Sequence, residues 1–353
     1  MFGKGIEISC LIGDQQAGMF GECCFNPGDI KITLGTGSFV NVNTGNLPFS
    51  SCLGLYPIVG WKLTTNTEPE VSERKGTSSE EKVGGEEERK ENDVNSGESD
   101  VKRRKNLSES NVTYLVEGGS HDTGTAIDWM KSIGLIDSPE ESCNEAIKAN
   151  LIVPNVSNHV HFIPAFNGLQ APYNDPSASC GFIGITSSTT KGQLIRSVLQ
   201  SISFRIKQLV SIVKEEVDVN LKRTINVNGG VANNDFVCQS IADNLGTVLV
   251  RDRHREISSR GVAFICGITK GLWTMEQLHN FTRQDRIFEP KQTENQLQSN
   301  QLITDQFETD ESNANESNTN ESNASESNTN ESNTNEEFDS WKRAVSRFLD
   351  WKQ

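Results

Sequence analysis

Two short stretches hold residues able to do chemistry together. Gly13-Asp14-Gln15-Gln16 opens a predicted helix with an acid in its first turn. Lys31-Ile32-Thr33-Leu34 then reads as a β-type run that turns back on Gly35-Thr36-Gly37 and resumes at Ser38-Phe39. A carboxylate near a Gly-Thr-Gly turn is what phosphoryl transfer needs. The acid accepts a hydroxyl proton, and unhindered backbone N–H groups approach phosphate oxygens. Glycine turns of this kind also close plain hairpins, where glycine supplies only a positive φ. Spacing alone leaves both readings open.

The elements that must position these residues follow along the chain. Ile6–Ile12 is expected as a strand, residues 14–24 as a helix, and Ser38–Val42 and Tyr56–Leu63 as strands. Residues 64–111 are rich in Glu, Lys, Ser, Asn and Gly and cannot bury enough apolar area to offset their ordering entropy, so this stretch is expected to be disordered. Lys102-Arg103-Arg104-Lys105 within it reads as a nuclear-import patch or as ordinary loop charge. Folding is expected to resume with a strand at Thr113–Glu117 and a helix over Gly124–Ile133, with Ile127, Trp129, Met130 and Ile133 as its buried face. A second helix is expected over Glu140–Ala149. Short strands are expected at Val160–Ile163 and Phe182–Ile185. Between them, residues 164–176 are punctuated by proline and glycine and read as an ordered loop.

The strongest helix signal starts at Thr190. Leu194, Ile195, Val198, Ile202, Ile206, Leu209 and Val213 fall at helical spacing, while Lys191, Arg196, Arg205 and Lys207 read as its solvated side. Thr224–Val227 is a strand running into Asn228-Gly229-Gly230, and a helix follows to Asn244. Glycines at a strand-to-helix turn allow close backbone approach and expose helix N–H groups. A strand at Thr247–Val250 and a small-residue helix over Gly261–Leu272 complete the body. From Thr293 the chain is Gln- and Asn-rich, and Glu-Ser-Asn units recur at a five-residue step, a low-complexity pattern. Phe338, Trp341, Val345, Phe348 and Leu349 then form an amphipathic helix expected to dock back on the body.

Composition bounds the function. The 353 residues are 34% hydrophobic, low for a chain folded throughout. Net charge is −15, and residues 301–337 hold ten acids and no Lys or Arg, so the rest is only mildly acidic. Nothing there suits a nucleic-acid partner, which needs excess cations to displace counterions. The eight cysteines show no C-x-x-C spacing and give no zinc signature, so no metal ligand set is expected. Cys238 and Cys266 lie in apolar-periodic segments and read as buried thiols. No signal peptide or membrane span is expected, and the chain reads as cytoplasmic.

Taken together, residues 13–24, 31–45, 116–129, 163–176 and 227–246 resemble, in order, the motifs of the FGGY family of carbohydrate kinases, and glycerol kinases within it. The resemblance implies an α/β fold: the C-terminal, ribonuclease H-like domain of an actin-type ATPase, here with disordered acidic insertions. Its parts would be residues 1–63 and 112–290, with a charged insert at 64–111, a linker at 291–336 and a docking helix at 337–353. It implies ATP and Mg2+ as cofactors and a small polyol, glycerol, as substrate.

Residue by residue, the resemblance makes Asp14 the catalytic base and places Gln15 and Phe39 at the polyol. Thr36, in the Gly35-Thr36-Gly37 turn, would contact phosphate, and Gly124 the nucleotide. Gly230 and Asn234 would bind adenosine. Asp128 stands where glycerol kinases carry a glutamine near the nucleotide, and Asn228 replaces the usual acid before Gly-Gly. The family's Asp-x-Gly-Thr loop lies in an N-terminal lobe before the Gly-Asp-Gln-Gln motif, so that lobe is expected as a missing partner, and homo-oligomers are compatible with the family. Two other functions stay open: a nucleotide-binding or partner-binding module without catalysis, and a pentulose-type sugar kinase.

Overall fold

The computed structural model describes residues 8–62, 112–152, 160–291 and 331–351. The charged insert with its basic patch and most of the Glu-Ser-Asn repeats lie outside them. In chain order the elements are α1 (Asp14–Gly21), β1 (Ile30–Leu34), β2 (Ser38–Gly45), β3 (Tyr56–Lys62), β4 (Val112–Ser120), α2 (Gly124–Ser132), α3 (Pro139–Ile152), β5 (His161–Ile163) and β6 (Gly181–Ile183). Then come α4 (Lys191–Glu216), β7 (Thr224–Asn228), α5 (Asp235–Leu245), β8 (Val248–Asp252), α6 (Ile257–Thr269), α7 (Met275–Leu278), β9 (Gln284–Phe288) and α8 (Glu331–Val345).

Seven strands form one sheet in the order β3-β4-β2-β1-β7-β8-β9. The antiparallel hairpin β1–β2 is extended by β7 and β8, which run parallel to β1. Alternation along the central strands divides the two faces. Ile30, Ile32 and Leu34 of β1, Val40 and Val42 of β2, and Ile225 and Val227 of β7 join the main core with α4 and α5. The side chains between them face the other way, toward α1 and α6, and many are polar: Lys31, Thr33, Asn41, Asn43, Asn226 and Asn228. A sheet with one apolar face and one polar face is an unusual use of a central sheet, since buried polar groups need partners.

Two local signals are well formed. Thr190 and Gln193 make a reciprocal capping box at the start of α4. α1 and α6 cross through small residues: a Cβ on Gly261 would lie 1.8 Å from the Ala17 carbonyl oxygen, and one on Gly21 would lie 2.3 Å from that of Ile257. The small-residue stretch therefore serves close helix packing. α8 begins at Glu331, inside the repeats, and packs Phe338, Trp341 and Val345 against β5 and Phe204 of α4. Trp341 is fully buried and its indole N–H donates to the Phe162 carbonyl at 2.9 Å.

Several expectations are corrected. Of the strand expected over Ile6–Ile12, residues 6 and 7 lie outside the described residues and 8–12 are not a strand; Ile8 and Leu11 are exposed, and no strand among the described residues pairs with them. α1 ends at Gly21, and Cys23 takes a positive φ of 55° as the chain leaves the helix. Ile133 is exposed just past the end of α2, and Cys266 is only half-buried. Arg205 is not solvated: it is 2% exposed. The apolar stripe of α4 is wider than its periodic positions suggest, because β2, β4, β5 and helices α3 and α5 surround the helix.

Candidate active site

Asp14 opens α1 from Gly13, whose backbone is extended. The side chain is exposed, with Oδ1 accepting the Gln15 N–H at 2.8 Å, and the Asp14 carbonyl accepts the Ser258 hydroxyl of α6 at 3.0 Å. The helix entrance is thus fixed by its neighbour while the carboxylate stays free to meet solvent or ligand. An acid there also has the favourable end of the helix dipole.

Gln15 is tied to the sheet. Its Oε1 accepts from Lys31 Nζ at 2.8 Å. Lys31 is buried, and burial pulls its ammonium down to about 8 despite nearby acids that include Glu22, Glu117 and Asp14. Thr33, two residues on and on the same face of β1, leads directly to the turn. Its Oγ1 is buried without a hydrogen-bond partner in the described structure. Phe39 starts the return strand opposite Thr33, half-buried beside Gly119.

The Gly35-Thr36-Gly37 turn is closed by the Gly35 N–H donating to the Gly37 carbonyl at 2.8 Å. The Thr36 carbonyl accepts from Thr123, Gly124 and Thr125 at 3.1, 2.8 and 3.3 Å, satisfying leading amides of α2. Gly124 fits because a Cβ there would lie 2.7 Å from the Gly35 carbonyl oxygen. Its amide is engaged by the turn, so Gly124 serves close approach. Asp128 points out from α2, exposed.

The second glycine turn lies beside the first. Gly229 has φ 96°, and a Cβ would meet the Leu34 carbonyl oxygen at 2.4 Å, directly before Gly35. At Gly230 a Cβ would meet nothing within 4 Å. Asn234 is buried and its side chain is occupied at both ends: Oδ1 caps Val237 N–H at 3.2 Å, and Nδ2 donates to Ser142 at 3.1 Å. Asn234 positions α5 and α3 around the turn. The two glycine turns lie at the carboxyl ends of adjacent parallel strands, the end at which open α/β sheets bind ligands.

Beneath the crevice is a buried ionic cluster that the motifs do not announce. Glu22 accepts from Asn228 at 3.1 Å and lies 3.5 Å from Arg260, which pairs with Asp252 at 2.8 Å. Burial raises the Glu22 carboxyl to about 7, outweighing Arg260 and Asn228. Asn228, which stands in place of an acid, avoids putting a second carboxylate beside Glu22. On the far side, Arg205 donates to the Ala171 carbonyl at 3.0 Å and reaches Ser120 and Gln170 at 3.5 Å. Asp122 holds Asn167 at 3.0 Å. The loop over residues 164–176 is thereby bound to the end of β4, next to α2 and its Thr36 contact. In sequence, Lys31 between Ile30 and Ile32 was the available hint of a buried cation; Glu22, Arg205 and Arg260 gave none.

The C-terminal domain profile of the FGGY family of carbohydrate kinases matches residues 87–270. Glycerol kinase 5 of Danio rerio is 37% identical over 84% of this chain and 46% of its own length. The chain belongs to the FGGY family of carbohydrate kinases. Human glycerol kinase 5 is 35% identical over 82% of the chain and 46% of its own length. The chain thus spans about half the length of the curated relatives it matches. Among solved structures, Plasmodium falciparum glycerol kinase with ADP has a TM-score of 0.63 at 22% identity, covering 85% of this chain and 50% of that one. A ligand-bound xylulose kinase from Lactobacillus acidophilus has a TM-score of 0.56 at 16% identity, covering 78% and 45%. At those identities the two structures share the FGGY fold with this chain. No helix among the described residues is long and apolar enough to cross a membrane.

Proposed function

We propose that this chain carries the nucleotide-binding part and the catalytic base of an ATP-dependent polyol kinase, with glycerol as the phosphoryl acceptor. The carrying observation is the adjacency of the two glycine turns with Gly230 left open. The space a Cβ would take at Gly230 is room for a flat base, and glycine at Gly35 and Gly37 keeps Thr36 and its turn accessible to phosphate. ATP, when bound, supplies the transferable γ-phosphoryl group.

Asp14 would take the proton of the attacking hydroxyl, and the Ser258 contact holds its backbone in place. Gln15, fixed by Lys31, and Phe39 would give the polyol one polar and one apolar contact. Mg2+ would be held chiefly by the substrate phosphates and water. Among the described residues no group of three His, Cys, Asp or Glu side chains could hold a metal by itself. The substrate choice rests on the glycerol kinase relatives, and a cytosolic setting accompanies it.

Calorimetric titration with Mg-ADP tests the reading, followed by an assay with Mg-ATP for transfer of its γ-phosphate to glycerol. Saturable binding that Gly230→Leu removes supports it. Absence of nucleotide binding refutes it, and binding without transfer reduces the chain to a nucleotide-binding module.

A further inference from the structure

A cavity of about 800 Å3 opens on the other side of α6, lined by the β8–α6 connection, α6 itself and the turn before β9. No residue of either glycine turn lines it. Its charged lining is one-sided: Arg253, Arg260 and Arg283 against the single acid Glu256. Phe264 and Phe281 supply apolar wall, their ring centroids 5.9 Å apart.

The arginines here divide into two kinds. Arg251 pairs with Asp235 and Asp285, Arg286 with Asp235, and Arg260 with Glu22 and Asp252. Arg253 and Arg283 are exposed and have no ion-pair partner among the described residues. They are nevertheless held side by side. The Arg253 N–H donates to the Arg283 carbonyl at 2.7 Å. Asp252 accepts the His254 N–H at 2.7 Å and the Arg283 N–H at 3.3 Å. One carboxylate therefore organises, through backbone bonds, two segments that each project a free guanidinium. In a chain of net charge −15, two unpaired arginines fixed together at the mouth of an aromatic-walled cavity are an arrangement that an anion would satisfy.

We infer that this cavity is a second ligand site, taking a small organic phosphate. Its phosphate meets Arg253 and Arg283, and its carbon portion lies on Phe281, which is backed by the buried Phe264 ring. Guanidinium forks match phosphate oxygens in geometry as well as charge. A volume of this size suits a small molecule.

The test is calorimetric titration of the full chain with inorganic phosphate and with ribose 5-phosphate, at low and at physiological salt. Ribose 5-phosphate should bind more tightly than inorganic phosphate, with affinity falling as salt rises. The double substitution Arg253→Gln/Arg283→Gln should weaken it at least tenfold, whereas Arg253→Lys/Arg283→Lys should retain part of the affinity. Both replace exposed side chains, and a thermal melt checks that they fold. Gly230→Leu should leave this binding unchanged, which separates it from the nucleotide crevice. Absence of binding by either phosphate compound overturns the inference. So does unaltered binding in the Gln variant, or loss of binding in Gly230→Leu.

Discussion

Lys31 reaches out of the central strand β1 and donates to Gln15 at 2.8 Å, so a buried ammonium fixes the residue next to Asp14. Lys31→Met should keep the side chain's length while removing the donor. With the Gln15 carbonyl oxygen left unbound at a part-buried site, the cost should be about 1–3 kcal/mol of stability. Urea denaturation measures it, and an unchanged midpoint would show that the contact holds nothing.

The same polar face should make stability depend on pH in two opposite windows. Glu22 is raised in the folded state, so the native protein binds the extra proton between the ordinary value of 4.5 and about 7. Its stabilising share is present below the lower value and is lost as pH rises through the upper one. Lys31 is lowered to about 8, so the unfolded chain holds the extra proton between about 8 and 10.5 and stability recovers as pH rises across that range. Thermal melts from pH 4 to 10 should show both limbs, and Glu22→Gln should flatten the acid one alone.

The two glycines of the second turn should respond differently to substitution. Gly229→Ala places a methyl 2.4 Å from the Leu34 carbonyl oxygen at a positive φ, and about 1–3 kcal/mol should be lost. Gly230→Ala meets nothing within 4 Å and should leave stability within about 0.5 kcal/mol. Its effect, if the crevice holds a nucleotide, falls on binding. Equal losses of stability in the two variants would contradict this division.

Trp341 joins α8 to the body by full burial, a bond to Phe162 and ring contacts with Phe204 and Phe338. Trp341→Ala should cost about 3–5 kcal/mol. Limited proteolysis should then cut within α8 well before the rest of the protein. If cleavage there is no faster than in the parent chain, the helix is held by other means.

The order of elements was legible because it rests on local signals. The spacing from Leu194 to Val213 and the Thr190 cap mark α4, and β-type runs beside glycine turns mark β1, β2 and β7. The adjacency of the turns was not legible from spacing, since it depends on β1 pairing in parallel with β7, nearly two hundred residues away. The family resemblance supplied the roles; only the pairing brings Gly229 against Leu34. Arg205 was misread for a related reason. A charged residue on a helix is ordinarily solvated, and nothing local shows that Ala171 and Ser120 will come to satisfy it. Asn234 shows the reverse case: a polar residue beside a glycine turn whose side chain is taken up locally, capping α5 and holding Ser142.

The proposed role of Asp14 as the base has its own consequence. Asp14→Asn keeps the size and the helix start but cannot accept the hydroxyl proton. In a two-lobed kinase carrying this domain, phosphate transfer to glycerol should fall by about 10²- to 10⁴-fold, with ADP affinity unchanged within twofold. A variant that transfers phosphate as fast as its parent would remove Asp14 from the chemistry.

The most direct measurement is the titration of the chain with Mg-ADP, alone and as Gly230→Leu and Asp14→Asn. The account predicts a saturable high-affinity site, lost when leucine fills the open space at Gly230 and kept when Asp14 becomes Asn, whatever weaker binding accompanies it at the Arg253–Arg283 cavity. A chain that binds no ADP, or whose binding is indifferent to leucine at that position, would contradict it.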